Sequence, residues 1–309
     1  MTRHFLRDDD LSPAEQAEVL DLAIELKKDR FSSKVFAGPQ TVALIFDKPS
    51  TRTRVSFAVG VTELGGAPLI IDSATSQLGA NEPIADTARV LDRQVSMIVW
   101  RTFAQSGLEK MAQNSSVPVI NSLSDEFHPC QLLADLMTIR EKLGSLQGKV
   151  LCYIGDASNN MAHSYLLAGA TAGMKVRIAG PASFQPNAEV LEKARQIADA
   201  TGGSVTCYTD PKLALVDSDV VATDTWVSMG QQDQKSEKVQ AFDGFGLDAE
   251  LLAFAKPSAI VLHCLPAYRG FEITDEVIEG PQSVVWDQAE NRLHAQKALM
   301  VWLAQRAKA

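Results

Sequence analysis

Long apolar runs are missing from this sequence: no stretch approaches the roughly 20 residues that a membrane-spanning helix needs. The opening residues, Met1-Thr2-Arg3-His4-Phe5-Leu6-Arg7-Asp8, do not form a secretory leader. The expectation is therefore a cytoplasmic protein with no membrane partner. Positive charge is in deficit, since 29 Lys and Arg face 38 Asp and Glu, for a net charge of −9. Such a surface argues against nucleic acid as a partner. Cysteine is scarce: Cys130, Cys152, Cys207 and Cys264 form no C-x-x-C pair, which predicts reduced thiols. No His/Cys/Asp spacing suggests a metal site, and no low-complexity tract or short-period repeat occurs. Glycine is short where a dinucleotide would need it. Gly155-Asp156-Ala157-Ser158-Asn159-Asn160 follows an apolar strand but lacks the second and third glycines of G-x-G-x-x-G. No cofactor is expected.

What is present suits two domains: 309 residues, of which 46% are hydrophobic and 22% charged. In the first half, Val42–Phe46, Pro68–Ile71, Met97–Trp100 and Pro118–Ile120 read as strands. Helices are predicted from the capping box Ser12-Pro13-Ala14-Glu15, over Val55–Thr62 with Gly65-Gly66 as its stop, and over Ile84–Val95. Asp8-Asp9-Asp10 reads as a solvated entry to the first helix, and Pro129–Leu143 as a helix bridging the halves. The second half continues with strands at 150–155, 176–179, 205–208, 220–223, 259–263 and 283–286, and helices at 160–173 and 188–200. A last helix is predicted over Gln288–Lys308, opened by the Asp287-x-x-Glu290 cap. This alternation predicts an α/β fold of two doubly wound parallel-sheet domains joined by interdomain helices. Ligands of such sheets bind outside the carboxyl ends of the strands.

The chain is organised around Asp47-Lys48-Pro49-Ser50-Thr51-Arg52-Thr53-Arg54, which lies between a buried strand and a helix start. Free backbone N–H groups and the positive end of a helix dipole meet there. Three hydroxyls (Ser50, Thr51, Thr53) and two guanidinium groups (Arg52, Arg54) are expected at the same point. A planar guanidinium matches phosphate, so this is a small-anion cradle. An ordinary Ser/Thr cap beside solvated arginines would need only one of these groups. Arg101 ends an apolar strand, where burial demands a carboxylate or a ligand. His128 precedes Pro129, so its imidazole projects ahead of a helix start and can polarise a carbonyl; Gln131, one turn inside, adds an uncharged donor and acceptor.

In the second half, Asn160 at a helix start suits a zwitterionic substrate, and Asp224, after a strand, suits an amino acid's ammonium. His263-Cys264 invites a nucleophile–base pair. Neighbours on an extended segment face opposite ways, which speaks against covalent catalysis.

Ser50-Thr51-Arg52-Thr53-Arg54 resembles the phosphate loop of the aspartate/ornithine carbamoyltransferase family. The run Asp224-Thr225-Trp226-Val227-Ser228-Met229-Gly230 is similar to the loop of its ornithine-using branch, and His263-Cys264-Leu265-Pro266 to its His-Cys-Leu-Pro signature. The resemblance runs nearly end to end. It implies that Ser50, Thr51, Arg52 and Thr53 hold the phosphate of carbamoyl phosphate, and that Thr53, Arg101, His128, Gln131, Cys264, Leu265 and Arg292 surround its carbamoyl end. It implies Asn160, Asp224, Ser228 and Met229 as the ornithine contacts. It further implies a homotrimer in which Gln77 enters a neighbouring subunit's site. The implied domains are 1–145 for carbamoyl phosphate, 146–286 for ornithine, and 287–309 as a C-terminal helix returning to the first domain. The sequence departs from the family at Ala58, where glutamate is frequent, and at Ala80-Asn81, where Arg-Gly is common.

The expected reaction is direct attack of the ornithine δ-amine on carbamoyl phosphate, with domain closure, giving citrulline and phosphate for arginine metabolism. Arg52, Arg101, His128 and Cys264 are its catalytic candidates. The amine must attack unprotonated, which costs roughly 4 kcal/mol near neutral pH, so the site is expected to lower its pKa. Rival readings are a sibling transferase for aspartate, putrescine or an acylated ornithine, a catalytically silent anion-binding relative, and a nucleotide-dependent oxidoreductase.

Overall fold

A computed structural model describes residues 2–72, 82–226 and 240–307 of the chain. The chain divides into two compact units, Met1–Met137 with Glu290–Ala309, and Thr138–Ala289. Among the described residues no helix is long and apolar enough to cross a membrane.

The first unit holds a four-stranded parallel sheet of β1 (Thr41–Phe46), β2 (Ala67–Asp72), β3 (Met97–Arg101) and β4 (Val119–Leu123), in the order β2-β1-β3-β4. β1 and β3 are apolar runs because helices cover both of their faces, and nearly every residue in them is buried. The register sets Phe46 opposite both Asp72 and Arg101, so three strands end level at one edge. The order reverses between β1 and β3, which makes the loops after those strands the switch point where a crevice opens. Around the sheet lie α1 (Pro13–Lys28), α2 (Thr51–Glu63), α3 (Ile84–Leu91), α4 (Gln105–Gln113) and α5 (Pro129–Leu143). The Ser12–Glu15 capping box forms as expected, with Glu15 N–H donating to Ser12 Oγ at 3.3 Å and Ser12 N–H to Glu15 Oε2 at 2.9 Å. The aspartates before it depart from expectation. Asp8–Asp10 is a short 3-10 turn in which Asp8 is buried and Asp10 accepts the N–H groups of Leu6 (2.6 Å) and Arg7 (2.9 Å). Carboxylates that terminate backbone donors are structural, which a charge run alone does not reveal.

The second unit carries β5 (Val150–Ile154), β6 (Lys175–Ala179), β7 (Ser204–Tyr208), β8 (Val220–Thr223) and β9 (Ile260–His263), all parallel, in the order β7-β6-β5-β8-β9. Ile154, Thr223 and His263 are in register, so the loops after β5, β8 and β9 leave from one edge, with the switch point between β5 and β8. The helices are α6 (Asn160–Thr171), α7 (Ala188–Thr201), α8 (Pro211–Leu215), α9 (Ala249–Leu252), α10 (Asp275–Ile278) and α11 (Val285–Ala307). The strand expected at 283–286 is absent. Ser283 makes a single bridge with Val261, and Val285 already opens α11, because Val284 C=O accepts the N–H of Gln288 at 2.9 Å. The buried apolar pair Val284-Val285 fits a helix start as well as a strand.

The unit boundary falls inside α5 and inside α11. From Glu290 onward α11 belongs to the first unit. Lys297, fully buried, donates to Glu63 Oε2 at 2.8 Å and to the Arg30 carbonyl, while Trp302 Nε1 and Arg306 Nη2 donate to Glu18 at 3.0 and 2.7 Å.

Candidate active site

The loop after β1 is tied to β3 before the cradle begins. Asp47 N–H donates to the Arg101 carbonyl at 2.9 Å, and Trp100 Nε1 donates to Asp47 Oδ2 at 3.0 Å. Lys48 is buried against the Phe103 ring, 4.4 Å from its centroid, and pairs with Asp125. Ser50 caps α2 by accepting Thr53 N–H at 3.3 Å, so the helix starts at Thr51, earlier than its apolar spacing indicates. Thr51 and Arg52 are exposed at this N-terminus, and Thr53 is buried. The two arginines part company. Arg54 turns back over the Phe46 ring and grips Asp72 with both nitrogens, at 2.7 and 3.2 Å, and this guanidinium holds the Asp72 carboxyl below its ordinary range. Arg54 is thus committed to the end of β2, and Arg52 is the guanidinium left at the cradle. Asp72 gave no sequence signal as its partner, because strand register alone brings the two together.

Arg101 is buried at the end of β3, where the pairing with β4 slips: Trp100 faces Asn121, but Arg101 faces Leu123. Such a bulge re-aims the side chain beside it. His128 is presented by a turn in which Ser124 Oγ accepts Phe127 N–H at 3.0 Å and donates to Gln105 Oε1 at 2.8 Å. Burial, then Arg292, then Arg101 drive its pKa well below the usual imidazole value. His128 is consequently neutral at neutral pH, an uncharged donor set among cations.

Gln131 lies one turn into α5. Its Nε2 donates to Asp135 Oδ1 at 2.8 Å, and its Oε1 accepts from Arg292 Nη1 at 2.5 Å. Arg292 Nη2 also donates to Thr53 Oγ1 at 3.4 Å. With its amide turned so that both ends are satisfied, Gln296 accepts from Arg292 at 2.8 and 3.0 Å and donates to Ser56 Oγ at 2.7 Å. Thr53 accepts from the guanidinium, so its own O–H hydrogen points elsewhere and is available to a ligand. The structure therefore joins Thr53, Gln131 and Arg292 directly, with Arg292 and Arg101 both acting on His128. Asp135 and Gln296 were missed from sequence. Their signal is spacing: each stands four residues after its partner on a helix, one turn away on the same face.

The second unit gathers another group. Asp224 follows β8 and is buried, which raises its pKa. Its Oδ1 accepts from Cys264 Sγ at 3.1 Å. His263 does not serve that thiol: Nδ1 accepts Leu265 N–H at 2.9 Å, and Nε2 faces Glu272 Oε1 at 3.2 Å. Both ring nitrogens are occupied, and the proton is fixed on Nε2. Leu265 is held by that bond at φ +58°, a left-handed conformation unusual for leucine. Ligand atoms of Asp224, His263 and Cys264 lie within 4.8 Å of one another, a closeness that sequence spacing did not indicate and that the bonds just given account for. Asn160 is the first residue of α6, and the cap is its neighbour Asn159, which accepts Ala162 N–H at 2.9 Å. The Gly155–Asn159 loop is closed by its own side chains, since Asp156 accepts the N–H and hydroxyl of Ser158 at 3.0 and 2.6 Å. Gln77, Ser228 and Met229 lie outside the described residues.

Two family models match the chain. One, described as "Aspartate/ornithine carbamoyltransferase, carbamoyl-P binding domain", spans residues 3–141, and the other, "Aspartate/ornithine carbamoyltransferase, Asp/Orn binding domain", spans residues 147–303. The sequence is 64% identical to an ornithine carbamoyltransferase of Renibacterium salmoninarum, covering 99% of this chain and 100% of that one. It is 60% identical to the enzyme of that name from Mycolicibacterium paratuberculosis, covering 98% of each. Among solved structures, ornithine carbamoyltransferase from Pyrococcus furiosus matches with a TM-score of 0.93 at 45% identity over 96% of both chains. Anabolic ornithine carbamoyltransferase from Campylobacter jejuni matches with a TM-score of 0.93 at 40% identity, over 99% of this chain and 100% of that one.

Proposed function

This chain belongs to the aspartate/ornithine carbamoyltransferase family, and from that premise we propose that it transfers the carbamoyl group of carbamoyl phosphate to the δ-amine of L-ornithine, giving L-citrulline and phosphate. The observation that carries the donor assignment is the Thr53–Gln131–Arg292 cluster, with neutral His128 and buried Arg101, in the unit whose β1–α2 loop is a helix N-terminus.

The donor's phosphate is held by the loop Ser50, Thr51, Arg52 and Thr53, where the dipole of α2 and charge-assisted donors favour an anion. Arg101, His128 and the Thr53 hydroxyl stabilise charge developing on the carbonyl oxygen, Gln131 Oε1 accepts from the carbamoyl NH2, and Arg292 fixes both Gln131 and Thr53. Arg52 stabilises the departing phosphate. Ornithine is held by Asn160, Asp224, Ser228 and Met229, with Cys264 and the Leu265 carbonyl facing the reacting groups. The amine attacks directly, without a covalent enzyme intermediate. Support for this comes from His263, whose ring is committed to Leu265 and Glu272, and from Cys264, whose thiol donates to Asp224. Burial raises the pKa of Asp224, which makes it a readier proton acceptor than an exposed carboxylate.

The proposed assembly is a homotrimer with Gln77 supplied by a neighbouring subunit. In its favour, Val55 on α2 and the adjacent Leu69 and Ile70 on edge strand β2 expose large apolar side chains, at 56%, 46% and 42%. Leu69 and Ile70 point to opposite sides of the strand, so each side of this edge exposes a large apolar side chain. The proposed setting is arginine biosynthesis in the cytoplasm, where Cys130, Cys152, Cys207 and Cys264, none of them in a disulfide, stay reduced.

The test is citrulline formation from carbamoyl phosphate with ornithine, compared with carbamoylation of aspartate, putrescine and acetylornithine. Ornithine is expected to be used by far the fastest. Turnover of another acceptor in its place, or of none, would overturn the assignment.

A further inference from the structure

Gln131 carries a two-ended group, an oxygen that accepts and a nitrogen that donates. Which end faces a ligand decides what the ligand must bring. A carbamoyl group carries an NH2 that requires an acceptor, whereas an acetyl group carries a methyl that requires neither. The structure fixes the direction twice. Gln131 Nε2 donates to Asp135 Oδ1 at 2.8 Å, one turn further along α5, and Gln131 Oε1 accepts from Arg292 at 2.5 Å. Asp135 and Gln131 are both buried, at 0% and 1% exposure, so neither end of the amide trades its partner for bulk water. A carboxylate presents lone pairs and holds the nitrogen; a guanidinium presents only N–H groups and holds the oxygen. Gln131 Oε1 retains a second lone pair for a ligand.

We propose that Asp135 is a positioning residue that sets donor specificity, holding the Gln131 amide with its oxygen towards Arg292 so that the pocket selects acyl phosphates bearing an N–H on the acyl carbon. A reversed amide would set N–H against N–H and reject a carbamoyl group, while an acetyl group would lose nothing. The proposal rests on the assignment of Gln131 to the acyl-donor site. It concerns selection between donors, not the transfer step, and Asp135 acts only through Gln131.

The test compares the wild type with Asp135→Asn and Asp135→Leu. Asparagine offers a donor as well as an acceptor and so permits the reversed amide; leucine keeps the branched volume and offers neither. Calorimetry measures binding of two stable phosphonates of nearly equal size, phosphonoacetamide and its methyl ketone counterpart 2-oxopropylphosphonate, with inorganic phosphate as the control for a folded cradle. The wild type should prefer the amide by about tenfold, the worth of one hydrogen bond, and the variants, in which Arg292 alone still holds the oxygen, should lose part of that preference with phosphate affinity unchanged. Full preference retained in either variant that still binds phosphate overturns the role of Asp135 alone. Absence of preference in the wild type overturns the donor assignment of Gln131, and this proposal with it.

Discussion

Arg292 Nη1 donates to Gln131 Oε1 across 161 residues of chain. The same guanidinium reaches Thr53, so residues from three helices are fastened by one side chain. Lysine in its place keeps the charge but has no planar fork to serve Gln131, Thr53 and Gln296 together. Arg292→Lys should raise KM for carbamoyl phosphate by about tenfold or more, the cost of at least one charge-assisted hydrogen bond. Steady-state kinetics with the donor varied will measure it, and an unchanged KM would remove Arg292 from the donor site.

The two arginines of the β1–α2 loop should behave differently. Arg52→Ala is expected to cut kcat/KM by about 10²–10³ without lowering Tm, because its exposed side chain is left for the leaving phosphate. Arg54→Ala breaks the pair with Asp72 and should cost clearly less activity. Equal losses in the two variants would contradict this division of labour.

Cys264 donates to Asp224, a bond that a serine hydroxyl can make. Cys264→Ser should therefore keep kcat within about tenfold of the wild type. Complete loss of turnover with ornithine binding intact would point to a covalent role for the thiol.

His128 links activity to acid stability. Its folded pKa lies well below the usual value, whereas in the unfolded chain it takes up a proton near about 6.5. Below that pH the unfolded state binds more protons, so stability falls as acid is added, by at most about 1.4 kcal/mol per pH unit for this group. Burial shifts His4 and His294 in the same direction. Urea midpoints should decline from pH 7.5 to 5.5, and His128→Gln should make that decline shallower. A slope identical to wild type would show that His128 titrates normally.

Strand ends and helix starts were legible because both leave local marks: an apolar run, then a hydroxyl cap, then a proline at the first helical position. Ser50, Thr53, His128 and Gln131 were placed at helix starts in this way. Asp72 was not, because it meets Arg54 through the register of β2 on β1, which no local pattern encodes. Val285 was misread since one buried turn and one short strand share the same composition. Asp8 and Asp10 looked like solvent-facing charge, yet Asp8 is buried and Asp10 closes a turn, a role set by backbone N–H groups that the sequence does not display. Asp135 and Gln296 stood in plain view at helical spacing, and only the geometry revealed what they turn towards.

The first unit is made of two pieces of chain, Met1–Met137 and Glu290–Ala309, and that order has a consequence for synthesis. Ribosomes deliver Thr53 and Gln131 long before Arg292, so the nascent polypeptide carries an unfinished pocket until its final stretch emerges. A premature stop in the last helix ahead of Arg292, even one that spares every strand of both sheets, would yield a product deprived of the fastening between those two residues.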